Sequence, residues 1–396
     1  MNNKPHQKHA KIVRPDLGVF ARNEWAIIGT PCGNIKKMAH KVIEKLSQKF
    51  KVAYADADHK SADEAAEHKS HDAMSSGAYM EYTDKIAYHN FTERANYDTY
   101  QFRTQFNGAD VVLVNGNHFS ARKQIVVVDP RKFDSLQKKL DRLTDVTMIL
   151  LEGEETEIPD FLKSKIENLN EIPVYKTTET KLISVYLKEQ LEERTPPISG
   201  LILAGGKSTR MGQDKGLISY RGMPHRDYLH KLLKNFCEDV FISCRQDQLR
   251  SINELPSIPD TFFNLGPFGA LLSAFRERPD HAWFVVACDY PLLDRGTILQ
   301  LLTSRNPSKI ATAFQSAPND FPEPLVTLWE PRSYPELLRF LAQGYSCPRK
   351  VLINTDVQII HAENPNALRN VNDPEEMKEV MTLLGEECRA NASRYS

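Results

Sequence analysis

The chain has 396 residues, 41% of them hydrophobic and 26% charged, with a formal net charge of -1 at pH 7. That length accommodates two domains with their own cores, and the balanced charge excludes a global field that would draw nucleic acid. No apolar run is long enough to cross a membrane, the amino terminus carries no apolar signal core, and six scattered cysteines form no Cys-x-x-Cys pair; the expected setting is a reducing cytoplasm.

Residues 1–22 carry Lys4, Lys8, Lys11, Arg14 and Arg22 against a single Asp16, and are expected to form a basic, flexible tail. Trp25-Ala26-Ile27-Ile28 reads as a strand, followed by a loop from Gly29 to Lys37 and a helix over about 38–50. Strand, glycine-containing turn and helix is the layout of a phosphate-binding loop. The chemistry does not complete: counted from Gly29, the second glycine position holds Asn34, the lysine position Ile35 and the hydroxyl position Lys36. Shifted so that Lys36 is the lysine, Ile35 stands where glycine belongs and Lys37 where the hydroxyl belongs. Neither register supplies a Ser or Thr for a metal, so the loop reads as a P-loop that has lost nucleotide hydrolysis.

A strand over 52–55 then delivers Asp56, Asp58 and His59 to a strand end, where ligands collect in such folds. The stretch 63–73 has a helical composition that places Glu64, His68 and His71 on one face, read as a solvated face rather than a metal site. Further strands are expected over 111–114, 125–128, 146–151 and 174–175, and a closing helix over 180–192. Asn115 stands where working P-loop proteins commonly carry a metal-holding acid. This order of elements, with the 110–116 segment and Ile172-Pro173-Val174-Tyr175, resembles MobB, the GTP-binding accessory protein of molybdenum-cofactor maturation. The resemblance spans 23–193 and implies a non-hydrolytic adaptor, because the defining loop is absent. Residues 194–197, ending in Pro196-Pro197, read as a stiff linker.

The second domain, 198–392, opens on an apolar strand, 198–203, that breaks into Ala204-Gly205-Gly206 and then presents Arg210 and Lys215. Paired glycines let backbone N–H groups approach an anion, and a cation about 4 Å from a phosphate oxygen is worth roughly 4 kcal/mol before desolvation. The stretch reads as a triphosphate cradle. It is neither a Walker A loop nor a dinucleotide fingerprint. Further along, a strand over 283–287 delivers Cys288-Asp289-Tyr290-Pro291, and a carboxylate at a buried strand's carboxyl end is suited to Mg²⁺. Asp373-Pro374-Glu375-Glu376 reads as a helix cap, which leaves Asn370 and Asn372 unexplained.

Leu203-Ala204-Gly205-Gly206-x-Ser208-x-Arg210-Met211-Gly212-x-Asp214-Lys215-Gly216-Leu217 resembles the signature of MobA, the molybdenum cofactor guanylyltransferase. Gly266-Pro267-x-x-Ala270, Cys288-Asp289-x-Pro291 and Asn370-Val371-Asn372 follow in that family's order, over about 198–385. The resemblance implies two α/β domains, each a mainly parallel sheet flanked by helices: degenerate P-loop-like, then a Rossmann-like nucleotidyltransferase. It implies Mg-dependent transfer of GMP from GTP to molybdopterin, with pyrophosphate released. Arg210, Lys215 and Asp289 would be catalytic. Leu203, Ala204, Gly205, Gly206, Lys215, Asp260 and Asp289 would bind nucleotide, with Asp289 holding the metal, and Asn370, Asn372, Arg349 and Lys350 would lie toward the pterin. Other maturation proteins and molybdoenzymes would be partners. Where the family presents asparagines near the base, this chain has Ser243-Cys244-Arg245, which keeps open a transferase using CTP or a sugar-phosphate acceptor. A non-enzymatic adaptor for cofactor delivery is the remaining alternative.

Overall fold

The structure, a computed structural model, describes residues 12–58, 73–154, 156–205, 215–252, 255–316 and 320–394. The chain divides into two compact units, Leu17–Arg194 and Thr195–Ser396 with the Met1–Asp16 stretch.

In the first unit, strands β1 (Glu24–Ile28), β2 (Val52–Ala55), β5 (Val111–Asn115), β6 (Lys123–Val128), β7 (Val146–Leu151) and β8 (Val174–Lys176) form a parallel sheet in the order β2-β5-β1-β6-β7-β8. A separate antiparallel ribbon pairs β3 (Met80–Asp84) with β4 (His89–Glu93). The central strands β1 and β5 are buried at every residue and mostly apolar because both faces of the sheet are covered. Trp25 and Ile27 pack with Ile35, Met38 and Val42 of helix Cys32–Leu46 and with Ile183 and Leu187 of helix Thr180–Glu193. The alternate residue Ile28 points the other way, toward Leu136 and Leu162.

In the second unit, β9 (Ile198–Leu203), β10 (Asp239–Cys244), β11 (Ser257–Pro259), β12 (Ala282–Ala287), β13 (Ala311–Gln315), β14 (Pro322–Trp329) and β15 (Gln358–Ile360) follow the order β11-β10-β9-β12-β14-β13-β15. β14 runs antiparallel to both neighbours and the other pairs are parallel. Ile202, Phe284 and Val286 meet Leu229 and Leu233 on one face, while Leu201, Trp283 and Val285 meet Phe268, Leu271 and Phe275 on the other. The expected fold class, α/β with mainly parallel sheets flanked by helices, is what both units present. Among the described residues no helix is long and apolar enough to cross a membrane.

Two local expectations change. The first helix begins at Cys32, directly after Pro31, whose carbonyl accepts from Asn34 and Ile35 N–H. The connection from β1 to the helix is therefore only Gly29-Thr30-Pro31, whereas a phosphate loop carries four residues between its two glycines alone. The second change is at residues 17–22, which do not continue the expected tail. Phe20 is fully buried against Phe102, Phe106 and Phe119. The anchor is Glu24, 1% exposed, whose carboxylate accepts the backbone N–H of Val19 (2.8 Å), Phe20 (2.6 Å), Ala21 (3.2 Å) and Arg122 (2.7 Å). A buried charge is tolerable only when so bonded. The stretch 63–73, with Glu64, His68 and His71, lies largely outside the described residues, as does His59.

Glu24→Ala would leave four backbone donors without their acceptor. A loss of about 3 kcal/mol in unfolding free energy is expected by urea titration; a change below about 1 kcal/mol would show that these donors find other partners.

Candidate active site

β9 and β12 pair in register from Ile198 opposite Ala282 to Leu203 opposite Ala287, so both chains leave the sheet at the same level. Ala204-Gly205 emerges beside Cys288-Asp289. On the other side of β9, β10 ends at Ser243-Cys244 and β11 leads into Asp260. The Asp260 N–H donates to the Cys244 carbonyl at 2.9 Å, and its carboxylate accepts from Ser243 Oγ at 3.0 Å. Asp260 and Asp289 thus bracket the carboxyl edge of four adjacent strands, three strand spacings or about 14 Å apart. This is where ligands bind in open parallel sheets.

Lys215 begins the short 3-10 turn Lys215–Leu217. Its Nζ donates to the Val371 carbonyl at 2.8 Å and to Asn372 Oδ1 at 3.1 Å, and lies 3.8 Å from Asp289 Oδ2. The backbone closes the same knot, with Val371 N–H donating to the Asp289 carbonyl at 2.8 Å. Segments separated by more than 150 residues therefore meet at one ammonium group. Asp373 accepts from Glu375 and Glu376 N–H at 2.9 Å to start helix Pro374–Arg394, as the cap reading expected. The reciprocal Glu376 bond goes to the N–H of Asn372, at 2.7 Å, rather than to that of Asp373. The cap thereby fixes the asparagine that faces Lys215.

Burial holds the Asp289 carboxyl above the usual carboxylate range, against the pull of Lys215. Its Oδ1 has no hydrogen-bond partner among the described residues although it is buried. A buried, unpaired carboxylate oxygen is costly in a resting protein, and it fits a divalent cation. Mg²⁺ is usually held by one or two carboxylates with the remaining positions left to water and substrate phosphates. Among the described residues no group of three or more His, Cys, Asp or Glu side chains is disposed to hold a metal, so any such ion would rely on the substrate for further ligands.

The structure brings Lys215, Asp289 and Asn372 together; Leu203 accepts from the Cys288 N–H at 3.3 Å on that side, while Ala204 and Gly205 bond to Ser243 and Arg245 at the end of β10. Asp260 stands at the far end of the same edge. Asn370 is exposed, one residue from the knot. Gly206 and Arg210 lie outside the described residues. Lys350 places its ammonium over the Tyr345 ring at 4.9 Å. Arg349 is paired with Glu323 at 3.5 Å. Glu323 was not anticipated: it is 7% exposed, and its charge reaches both Asp289 and Tyr290. An acid between two prolines at the head of an apolar strand, Pro322-Glu323-Pro324, was the available signal. Arg245 binds the Gly205 carbonyl at 2.8 Å and Asp247 through two contacts of 3.0 Å, so it buttresses the start of the cradle.

Residues 200–358 match the MobA-like NTP transferase domain family. The chain is 34% identical over 186 residues to a molybdenum cofactor biosynthesis bifunctional protein of Synechocystis sp., covering 46% of this chain and 54% of that one, so it spans about half the length of that relative. It is 33% identical over 199 residues to a molybdenum cofactor guanylyltransferase of Pseudomonas putida, covering 48% of this chain and 100% of that one. Among solved structures it is similar to molybdopterin-guanine dinucleotide biosynthesis protein A from Archaeoglobus fulgidus, at 20% identity and a TM-score of 0.42, covering 48% of this chain and 99% of that one. Matching the Pseudomonas enzyme from end to end, the chain belongs, through its C-terminal unit, to the molybdenum cofactor guanylyltransferase family of nucleotidyltransferases.

Proposed function

We propose that the C-terminal unit transfers GMP from GTP to molybdopterin, with Mg²⁺, and releases pyrophosphate. The observation that carries this reading is the Lys215–Asp289–Asn372 knot at the carboxyl edge of β9 and β12. The terminal phosphate of the pterin attacks the α-phosphorus of GTP; the new P–O bond forms as the bond to pyrophosphate breaks, and no protein nucleophile is needed. Lys215 is the cation for the phosphates, and its exchange of the Val371 carbonyl for a phosphate oxygen is the binding step. Arg210 supplies a second cation. The backbone from Leu203 through Gly206 forms the cradle. A Cβ at Gly205 would rest in ordinary contact with the Cys244 and Arg245 backbone, at 3.5 Å, so that side of the glycine packs against the end of β10.

Asp289 is the residue that would hold Mg²⁺, which when bound neutralises charge on the α-phosphate and the leaving group. Asp260, kept neutral more readily by burial, reads the nucleoside end. Asn372 and exposed Asn370 face the pterin, with Arg349 held nearby by Glu323. We assign residues 198–392 to this domain, 194–197 to a linker, the stretch before Leu17 to a tail, and 17–193 to a MobB-like domain that no longer hydrolyses nucleotide and serves other maturation proteins or molybdoenzymes. The scattered thiols support a cytoplasmic setting. Ser243, spent on Asp260, and Arg245, spent on Gly205, leave the family's usual base contacts unfilled and favour CTP as the second reading.

Pyrophosphate release from GTP, molybdopterin and Mg²⁺ should fall at least about 100-fold in Lys215→Ala; a variant at full rate would remove the catalytic assignment, and faster turnover of CTP than GTP would select the second reading. Asp289→Asn should also abolish turnover while stabilising the ligand-free protein at neutral pH. A raised folded-state pKa favours folding below the unfolded value and penalises it as pH rises through the folded one. The gain in Tm should therefore be present near pH 7 and absent near about pH 3; a gain of equal size at both would contradict the cause given.

A further inference from the structure

The turn after β1 in the first unit meets a thiol, an imidazole and a carboxylate. Cys32 opens the 15-residue helix Cys32–Leu46. Its Sγ lies 3.4 Å from His118 Nε2, beyond the end of β5. The Asn117 amide donates to the same sulfur at 3.4 Å while binding the Thr30 carbonyl at 2.9 Å. His118 Nε2 is in turn 3.9 Å from Asp56 Oδ1, at the end of β2. That carboxylate is fixed from two sides, by fully buried Asn115 at 2.7 Å and by the Tyr54 hydroxyl at 2.8 Å. Lys139 donates to the carbonyl and to the side-chain oxygen of Asn117, at 3.3 Å each. Three neighbouring strands of the sheet, β2, β5 and β1, thus deliver a thiol, an imidazole and a carboxylate to one place on its carboxyl edge. The nearest Thr hydroxyl is already committed: Thr30 Oγ1 donates to Asp129 at 2.7 Å, and Asp129 is held by Arg131.

These are the parts of a thiol nucleophile with its base. We propose that Cys32 is a nucleophilic thiol that exchanges with small disulfides, with His118 as its proton acceptor. The Sγ proton passes to His118 Nε2, which stands 3.9 Å from Asp56 Oδ1. The sulfur attacks one sulfur of the disulfide; a mixed disulfide with Cys32 forms, the original S–S bond breaks, and the released thiolate takes the proton back from His118. The Asn117 donor and the helix N-terminus face the charge on the attacking sulfur. Side-chain exposures of 21% at His118 and 25% at Asp56 leave the group reachable by a small reagent. Cys32 is the single cysteine between Leu17 and Arg194, so the mixed disulfide has no resolving thiol within the unit.

The test uses the full chain, with iodoacetamide and, separately, oxidised glutathione as probes, and reads each cysteine by peptide mass spectrometry. Cys347 is more exposed than Cys32 and serves as the internal reference. Alkylation of Cys32 about tenfold faster than of Cys347, slowed by about tenfold in His118→Ala with Cys347 unchanged, and glutathione captured on Cys32, is the expected result. Cys32 reacting no faster than Cys347 in the unmodified protein overturns the proposal without recourse to any variant. So does a Cys32 rate indifferent to His118→Ala.

Discussion

The contact on which the chemistry proposed for the C-terminal unit rests is the one between the Lys215 ammonium and the Val371–Asn372 segment beside Asp289. An ammonium brought this close to a largely buried carboxylate costs desolvation on both sides. The cost is met by two short hydrogen bonds to neutral oxygens rather than by a tight ion pair, since the 3.8 Å separation from Asp289 leaves the carboxylate only partly compensated. One Asp289 oxygen remains without a partner among the described residues. The arrangement is therefore poised: the lysine is held but exchangeable, and the acid is under-satisfied. Such a site gains more from a phosphate and a cation than a relaxed one would, which is how electrostatic preorganisation acts.

The sheet explains why these groups meet. Parallel pairing of β10, β9 and β12 puts their carboxyl ends at one level, and the antiparallel return of β14 brings Glu323 up beside Tyr290 from the opposite direction. Arg349, from helix Pro348–Ile353, is drawn in by that acid. The capped start of helix Pro374–Arg394 then carries the Asn-Val-Asn segment over the end of β12. Four separate elements contribute, and each is fixed by ordinary packing before any ligand is considered.

Much of this was legible in the chain. The apolar runs 198–203 and 283–287 could only be strands buried on both faces, and the residues just past them, Gly205 and Asp289, followed as site residues because strand ends are where ligands gather. The cap at Asp373 was readable from its residue types. The partnership of Lys215 with Val371 and Asn372 was not, because it joins positions 156 and 157 residues apart and leaves no periodic or compositional trace. Glu323 escaped notice for a similar reason: its role depends on Tyr290 and Arg349 arriving from elsewhere. In the first unit, the mismatch of residues 29–36 to a phosphate-loop pattern was visible, while the meeting of Cys32 and His118, 86 residues apart, was not. Likewise, Glu24 stands just before the expected strand Trp25–Ile28 with no signal of its own, and only the fold shows it gathering four backbone donors.

The most direct test of the account is a crystal structure of the full chain soaked with GTP and Mg²⁺. The nucleotide is expected along the carboxyl edge of β9 to β12, its phosphates between Lys215 and Asp289 and its base toward Asp260. Density for GTP beside the Gly29–Gly33 loop of the first unit, with the edge between Asp260 and Asp289 empty, would contradict it.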